Sequence, residues 1–199
     1  AQMSTYPITK FMTDATAGAT PLAQLGNGQA VNVVDLLLGN CGGTLGETCK
    51  IAIILGGLYL LITGIADWRI PAAMIGGAFV CFLIKGLAEY DPATAEGLQG
   101  MLLGQGQFSY ALSTALMQIL SGGLMLGAFF MATDYVTSPM SALGKVIFGL
   151  GCGALVFVIR CYASYPEGCS FAILFMNVLT PLIDRFTAGK SFGGVKLHG

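Results

Sequence analysis

Five stretches of this chain are long and apolar enough to cross a bilayer, and they leave little room for any other architecture. They run roughly over Thr48–Ala66, Ile70–Ala88, Tyr110–Ala132, Leu143–Cys161 and Ser170–Phe186. A membrane-crossing helix needs about 20 mostly apolar residues, and in lipid only helices and closed barrels satisfy their own backbone. Charged residues make up only 10% of the chain, against about 25% in a soluble domain. A surface so poor in charge must face lipid or other subunits. The expected fold class is therefore all-α: a polytopic membrane protein with five transmembrane helices. Gly122, Gly123 and Gly127 in the third stretch, and Gly149, Gly151 and Gly153 in the fourth, are spaced to let backbones approach closely. Pro181 is expected to kink the fifth helix or mark its end.

The spans divide the chain into four parts. Residues 1–30 form a polar, loop-like segment. Residues 31–47 hold a short apolar run interrupted by Asp35, then the Gly-rich Gly39-Asn40-Cys41-Gly42-Gly43. That pattern fits either a re-entrant element or an interfacial helix with a surface loop. Residues 48–186 are the five-helix membrane domain and 187–199 a tail. No basic start followed by an apolar core marks a signal peptide in Ala1–Ala30. The chain opens in mid-loop without Met, which reads as the C-terminal portion of a longer protein.

Charge sets the expected orientation. Arg69, Lys145, Arg185, Lys190 and Lys196 fall on one side of the five spans. Lys10, Lys50, Arg160 and the acidic loop from Glu89 to Glu96 fall on the other. The positive-inside rule then places the C-terminus in the cytoplasm and, with an odd number of spans, the N-terminal loop outside.

Several chemistries find no support. A net charge of −1 without a basic patch does not suit nucleic acid. No Walker or Gly-x-Gly-x-x-Gly sequence follows a strand. The six cysteines include no Cys-x-x-Cys pair, and the single histidine, His198, lies in the tail; no metal centre held within this chain is expected from them, while a single cysteine could still join a cluster shared between subunits. The charges near predicted span ends are Glu47, Asp134 and Glu167, with the Asp184-Arg185 pair closing the last span. Intramembrane charges are costly and tend to be functional. Glu47, Asp134 and Glu167 are accordingly candidates for an ion path or a cofactor contact. The competing reading is capping: Glu47 suits a helix N-terminus, and Asp184 beside Arg185 suits an interface anchor.

The polar loop contains Asp14-Ala15-Thr16-Ala17-Gly18-Ala19-Thr20. The Thr20 hydroxyl follows two residues with almost no side-chain bulk, so a large modifying enzyme or a large group could reach it. A flexible turn explains the same residues, because Gly supplies unusual dihedrals cheaply.

Two long motifs carry a family resemblance. Gly127-Ala128-Phe129-Phe130-Met131-Ala132-Thr133-Asp134-Tyr135-Val136-Thr137-Ser138-Pro139 is one. The other runs from Tyr165-Pro166-Glu167-Gly168-Cys169 through Asn177 and Pro181 to Asp184-Arg185. Both resemble the D subunit of the Rnf electron-transport complex and its relative, the B subunit of the sodium-translocating NADH:quinone reductase. Leu45-Gly46-Glu47-Thr48 resembles that family's opening of a helix, and the likeness extends from about Thr13 to Phe186. The resemblance implies that Thr20 carries FMN through a phosphoester, attached by a separate flavin transferase, with Asp14, Gly18 and Ala19 completing the attachment motif. Ala17 departs from the pattern, standing where the family has Ser or Thr. The resemblance further implies a second, non-covalent flavin (riboflavin) and a ten-helix scaffold of two inverted halves like urea transporters, of which this chain would be one half. It implies partner subunits, both integral and peripheral, in a bacterial inner-membrane complex that couples electron flow between ferredoxin and NAD to Na⁺ or H⁺ movement. A channel or transporter for a small solute is the alternative that the helices alone would suit.

Overall fold

Why the first apolar stretch yields only a short helix is visible at its end. Helix α1, Lys50–Ile62, stops where Thr63 turns its hydroxyl back onto the Tyr59 carbonyl at 2.8 Å. Gly64 then takes a positive φ of 72° and begins the turn that leads to Asp67. With 13 residues, α1 rises about 20 Å, short of a hydrocarbon layer of about 30 Å. The computed structural model describes residues 37–38, 49–89, 106–163 and 167–187.

Among the described residues, three helices are long and apolar enough to cross a membrane: α2 (Arg69–Ala88), α5 (Ala142–Tyr162) and α6 (Cys169–Thr187). Between α2 and α5 lies a broken element. Helix α3 (Gln107–Leu120) ends at Ser121-Gly122-Gly123, and a short α4 (Leu124–Leu126) continues into a π-helical turn, Gly127–Met131. The two pieces are bent by 67°. Counted as one span, they bring the total to four. The five expected spans are thus three unbroken helices, one broken one and one short one. Among the described residues there is no strand, as the all-α expectation requires. Pro181 does not end the last helix, which continues through it to Thr187.

Helices α2 and α5 lie parallel at the centre of the molecule. Gly149 meets Ile70 and Ala73, Gly153 meets Met74 and Ala78, and Phe82 packs edge-on against Phe157 at 5.2 Å. A Cβ on Gly153 would sit 2.5 Å from the Met74 carbonyl oxygen and 2.8 Å from the Ala78 nitrogen. Glycine is what permits this approach, as expected for membrane helices. Helix α6 returns antiparallel to α5, with Gly168 against Ile159 and Gly151 against Met176. Helix α3 runs antiparallel to α2, with Gly86 against Ala111 and the Gln107 side chain donating to the Leu87 carbonyl. The core joins Met74, Ala78, Phe82, Phe148, Cys152, Val156, Ala172 and Met176. Large apolar side chains such as Leu55, Ile62, Val80, Leu174 and Val178 point outward, an exposure suited to lipid.

Gly122 does not serve close packing of two helices. Gly122 has a φ of 64°, the left-handed region that favours glycine. It breaks the third stretch rather than letting it pack.

Candidate functional site

The described residues place the candidate charges at two opposite ends of the bundle. At one end lie the α1–α2 turn, the start of α5 and the end of α6. There Lys145 Nζ contacts Asp67 Oδ2 at 2.8 Å, and Arg69 lies 3.9 Å from the same oxygen. The hydrogen bond from Lys145, with help from the Arg69 backbone and the two positive charges, holds the Asp67 carboxyl below its ordinary value despite partial desolvation. Asp184 Oδ1 accepts from the Met140 backbone nitrogen at 3.1 Å, and Ser141 bonds Thr187 at 2.6 Å. Asp184 therefore ties the loop before α5 to the end of α6.

Asp134 belongs to this same end. It is exposed and organises its own turn: Thr137 Oγ1 donates to its carboxylate at 3.1 Å, and the Ser138 nitrogen donates to its backbone carbonyl at 3.1 Å. Glu167 sits at the other end, immediately before α6. A helix of 19 residues separates the two ends by about 28 Å. The structure thus does not bring Asp134 and Glu167 together. Glu47, Asp14, Gly18, Ala19 and Thr20 lie outside the described residues.

What the sequence reading missed is the arrangement around the broken span. Lys50, first residue of α1, is only 2% exposed and donates to the Gly122 carbonyl at 2.6 Å. Arg160, near the end of α5, donates to the Gln118 carbonyl and to the Ser121 carbonyl, the latter at 3.1 Å. The Glu167 carboxylate and the Arg160 guanidinium crowd the same face of Gly122, where a Cβ would strike the former. Carbonyls at a helix C-terminus have no intrahelical partner and carry the negative end of its dipole. Two inward-turned cations answer them here. Lys50 and Arg160, expected together on one side, do lie at the same end as Glu167; beyond that expectation, both bond backbone carbonyls, Lys50 while buried and Arg160 while half-buried. Their signal in the sequence was weak: each borders an apolar stretch, and the partners are carbonyls, which a sequence does not display.

A helical membrane protein with a broken span fastened by internal cations is the class these observations define. The sequence model of the NQR2, RnfD, RnfE family matches residues 1–193, and the chain belongs to this family. It is 40% identical over 191 residues to the D subunit of the Na⁺-translocating ferredoxin:NAD⁺ oxidoreductase complex of Acetobacterium woodii, covering 94% of this chain and 52% of that one. It is 40% identical over 194 residues to the D subunit of the ion-translocating oxidoreductase complex of Stutzerimonas stutzeri, covering 92% and 49%. The D subunit of the proton-translocating ferredoxin:NAD⁺ oxidoreductase complex of Clostridium ljungdahlii is 39% identical over 191 residues, covering 90% and 52%. The chain spans about half the length of the curated relatives it matches.

Proposed function

We propose that this chain is part of a flavin-carrying membrane subunit of a redox-driven ion pump, with FMN bound covalently to Thr20. The observation that carries the reading is the sequence Asp14-x-x-Ala17-Gly18-Ala19-Thr20 in a chain that belongs to the NQR2, RnfD, RnfE family. The residue types fit: a threonine hydroxyl preceded by the two small residues Gly18 and Ala19 presents little side-chain bulk to a transferase, and a hydroxyl is the group that would hold a flavin's phosphate as a phosphoester. When bound, the flavin supplies one- and two-electron transfer, chemistry that belongs to the cofactor. The chain holds it: a tether at Thr20 keeps the ring at high effective concentration beside partner subunits. Asp14, Gly18 and Ala19 complete the attachment motif. A non-covalent riboflavin elsewhere in the subunit, and the urea-transporter-like inverted repeat, belong to the same reading.

The loop lies on the extracytoplasmic side and the C-terminus in the cytoplasm of a bacterial inner membrane. The positive-inside rule supports that orientation: Arg69, Lys145, Arg185, Lys190 and Lys196 fall on the inner side, against Lys10, Lys50 and Arg160 on the outer one. Electron flow between ferredoxin and NAD, and the movement of Na⁺ or H⁺, are shared with partner subunits. Glu47, Asp134 and Glu167 are candidate contacts for the ion or the flavin. Since Asp134 and Glu167 lie at opposite ends, they would serve opposite mouths of a path rather than one site.

The test is in-gel flavin fluorescence of the full-length protein produced with its flavin transferase. Thr20→Val should abolish the signal while the protein still inserts. Undiminished fluorescence in Thr20→Val would refute the attachment.

A further inference from the structure

We propose that the groove between α2 and the bent span holds one acyl chain of an anionic phospholipid, whose phosphate is taken by Arg69. The 67° bend turns α4 and the π-helical turn away from the line of α3. Beside it lies a cavity of about 710 Å³. Trp68, Ala72, Gly76 and Phe79 line it from α2, and Leu120 and Phe129 line it from the two sides of the bend. Ala72 and Gly76 are exposed. A Cβ built on Gly76 would meet no atom within 4 Å, so the space over this part of α2 is open.

Length and chemistry identify the occupant. From Trp68 to Phe79 helix α2 rises about 16 Å, the depth of one leaflet in a hydrocarbon layer of about 30 Å. Every residue lining the groove is apolar, Trp68 included, or glycine. A flavin would bury its ring amide and its ribityl hydroxyls there without partners, at a cost. An alkyl chain buries no polar group and gains from the apolar contact.

Charge complementarity decides the headgroup. Trp68 is 64% exposed just before α2 begins, the placement of an aromatic residue at a membrane interface. Arg69, Ala72 and Gly76 fall at i, i+3 and i+7, one stripe of α2, and helical side chains lean towards the N-terminus. The guanidinium therefore stands at the surface end of the groove. Its side chain is 41% exposed and lies 3.9 Å from Asp67, whose shorter contact of 2.8 Å goes to Lys145. One carboxylate shared by two cations leaves a positive charge, and a guanidinium fork matches a phosphate. Asp134 and Asp184, the other described carboxylates of this end, are bonded within or to the loop before α5.

The test uses the full-length protein in its complex, in nanodiscs containing phosphatidylglycerol with a photoactivatable diazirine on one acyl chain. Irradiation should label the α2 peptide that contains Gly76, read by peptide mass spectrometry. Unlabelled phosphatidylglycerol should compete, and phosphatidylcholine, whose ammonium answers its own phosphate, about tenfold less well, the scale of one charge-assisted hydrogen bond. Arg69→Gln should lower the labelling by a similar factor of about ten. Gly76→Leu, which fills the open space, should lower it about tenfold by overpacking against the chain. If Gly76→Leu does not assemble, Arg69→Gln decides alone, since that side chain lies at the surface. An assembled wild-type complex without label on α2 would overturn the proposal, because other protein would then cover the groove. Labelling unchanged in either variant, or equal competition by phosphatidylcholine, would mean unselective boundary lipid and overturn it too. So would displacement of the label by riboflavin, which would make the groove a flavin site. The label needs no flavin on Thr20, so Thr20→Val leaves it unchanged; the two readings fail separately.

Discussion

At Gly122 a single residue carries both a backbone and an electrostatic constraint. Its φ of 64° and its contact with Glu167 and Arg160 leave no room for a side chain. Gly122→Ala should cost about 1–2 kcal/mol from the left-handed backbone alone, and more from displacing Glu167. A lowered melting temperature of the purified protein checks it. Asp67 offers a pH signature. Its folded pKa lies below the ordinary 3.8 because Lys145 donates to it. The contribution is therefore complete above about pH 5 and is lost as pH falls through the folded value. Lys145→Met should lower stability at neutral pH by about 0.5–1 kcal/mol, the range of a solvent-accessible ion pair. It should also flatten the dependence below pH 5, measured by denaturation in detergent across that range.

Elements were legible where hydropathy alone decides them. The second, fourth and fifth apolar stretches became α2, α5 and α6 nearly at their expected bounds. Gly149 and Gly153 do what their spacing implied, seating α5 on α2. Gly153→Ala should destabilise that contact by about 1–3 kcal/mol, as overpacking does; thermal unfolding followed by near-UV circular dichroism reads it. Hydropathy could not show where an apolar run stops being a helix. Averaged over Tyr110–Ala132, the stretch remains apolar through Ser121-Gly122-Gly123, yet the chain breaks there, because Lys50 and Arg160 arrive from elements distant in sequence to bond the freed carbonyls. The end of α1 was equally hidden: Ile65 and Ala66 are apolar but belong to a turn. Ser141, whose side chain accepts from the Gly144 nitrogen at 2.9 Å, starts α5, and Ser141→Ala should cost about 1 kcal/mol, read as a lower midpoint in the same unfolding experiment.

For the whole molecule, two ends with different chemistry set the frame. One end is tied by Asp67, Lys145 and Asp184, the other by Lys50, Arg160 and Glu167. The division of loop charges was visible in the sequence; that two of those charges turn inward was not. The proposed attachment loop lies outside the described residues, and its residues alone suit a flexible turn equally well; the family resemblance is what singles out Thr20. The central claim is that Thr20 is the residue that carries the flavin. Peptide mass spectrometry of the full-length protein, produced with its flavin transferase, tests it most directly. The peptide containing Thr20 should carry the mass of FMN less one water, with fragment ions placing it on Thr20. The same peptide found only at its unmodified mass would contradict the account.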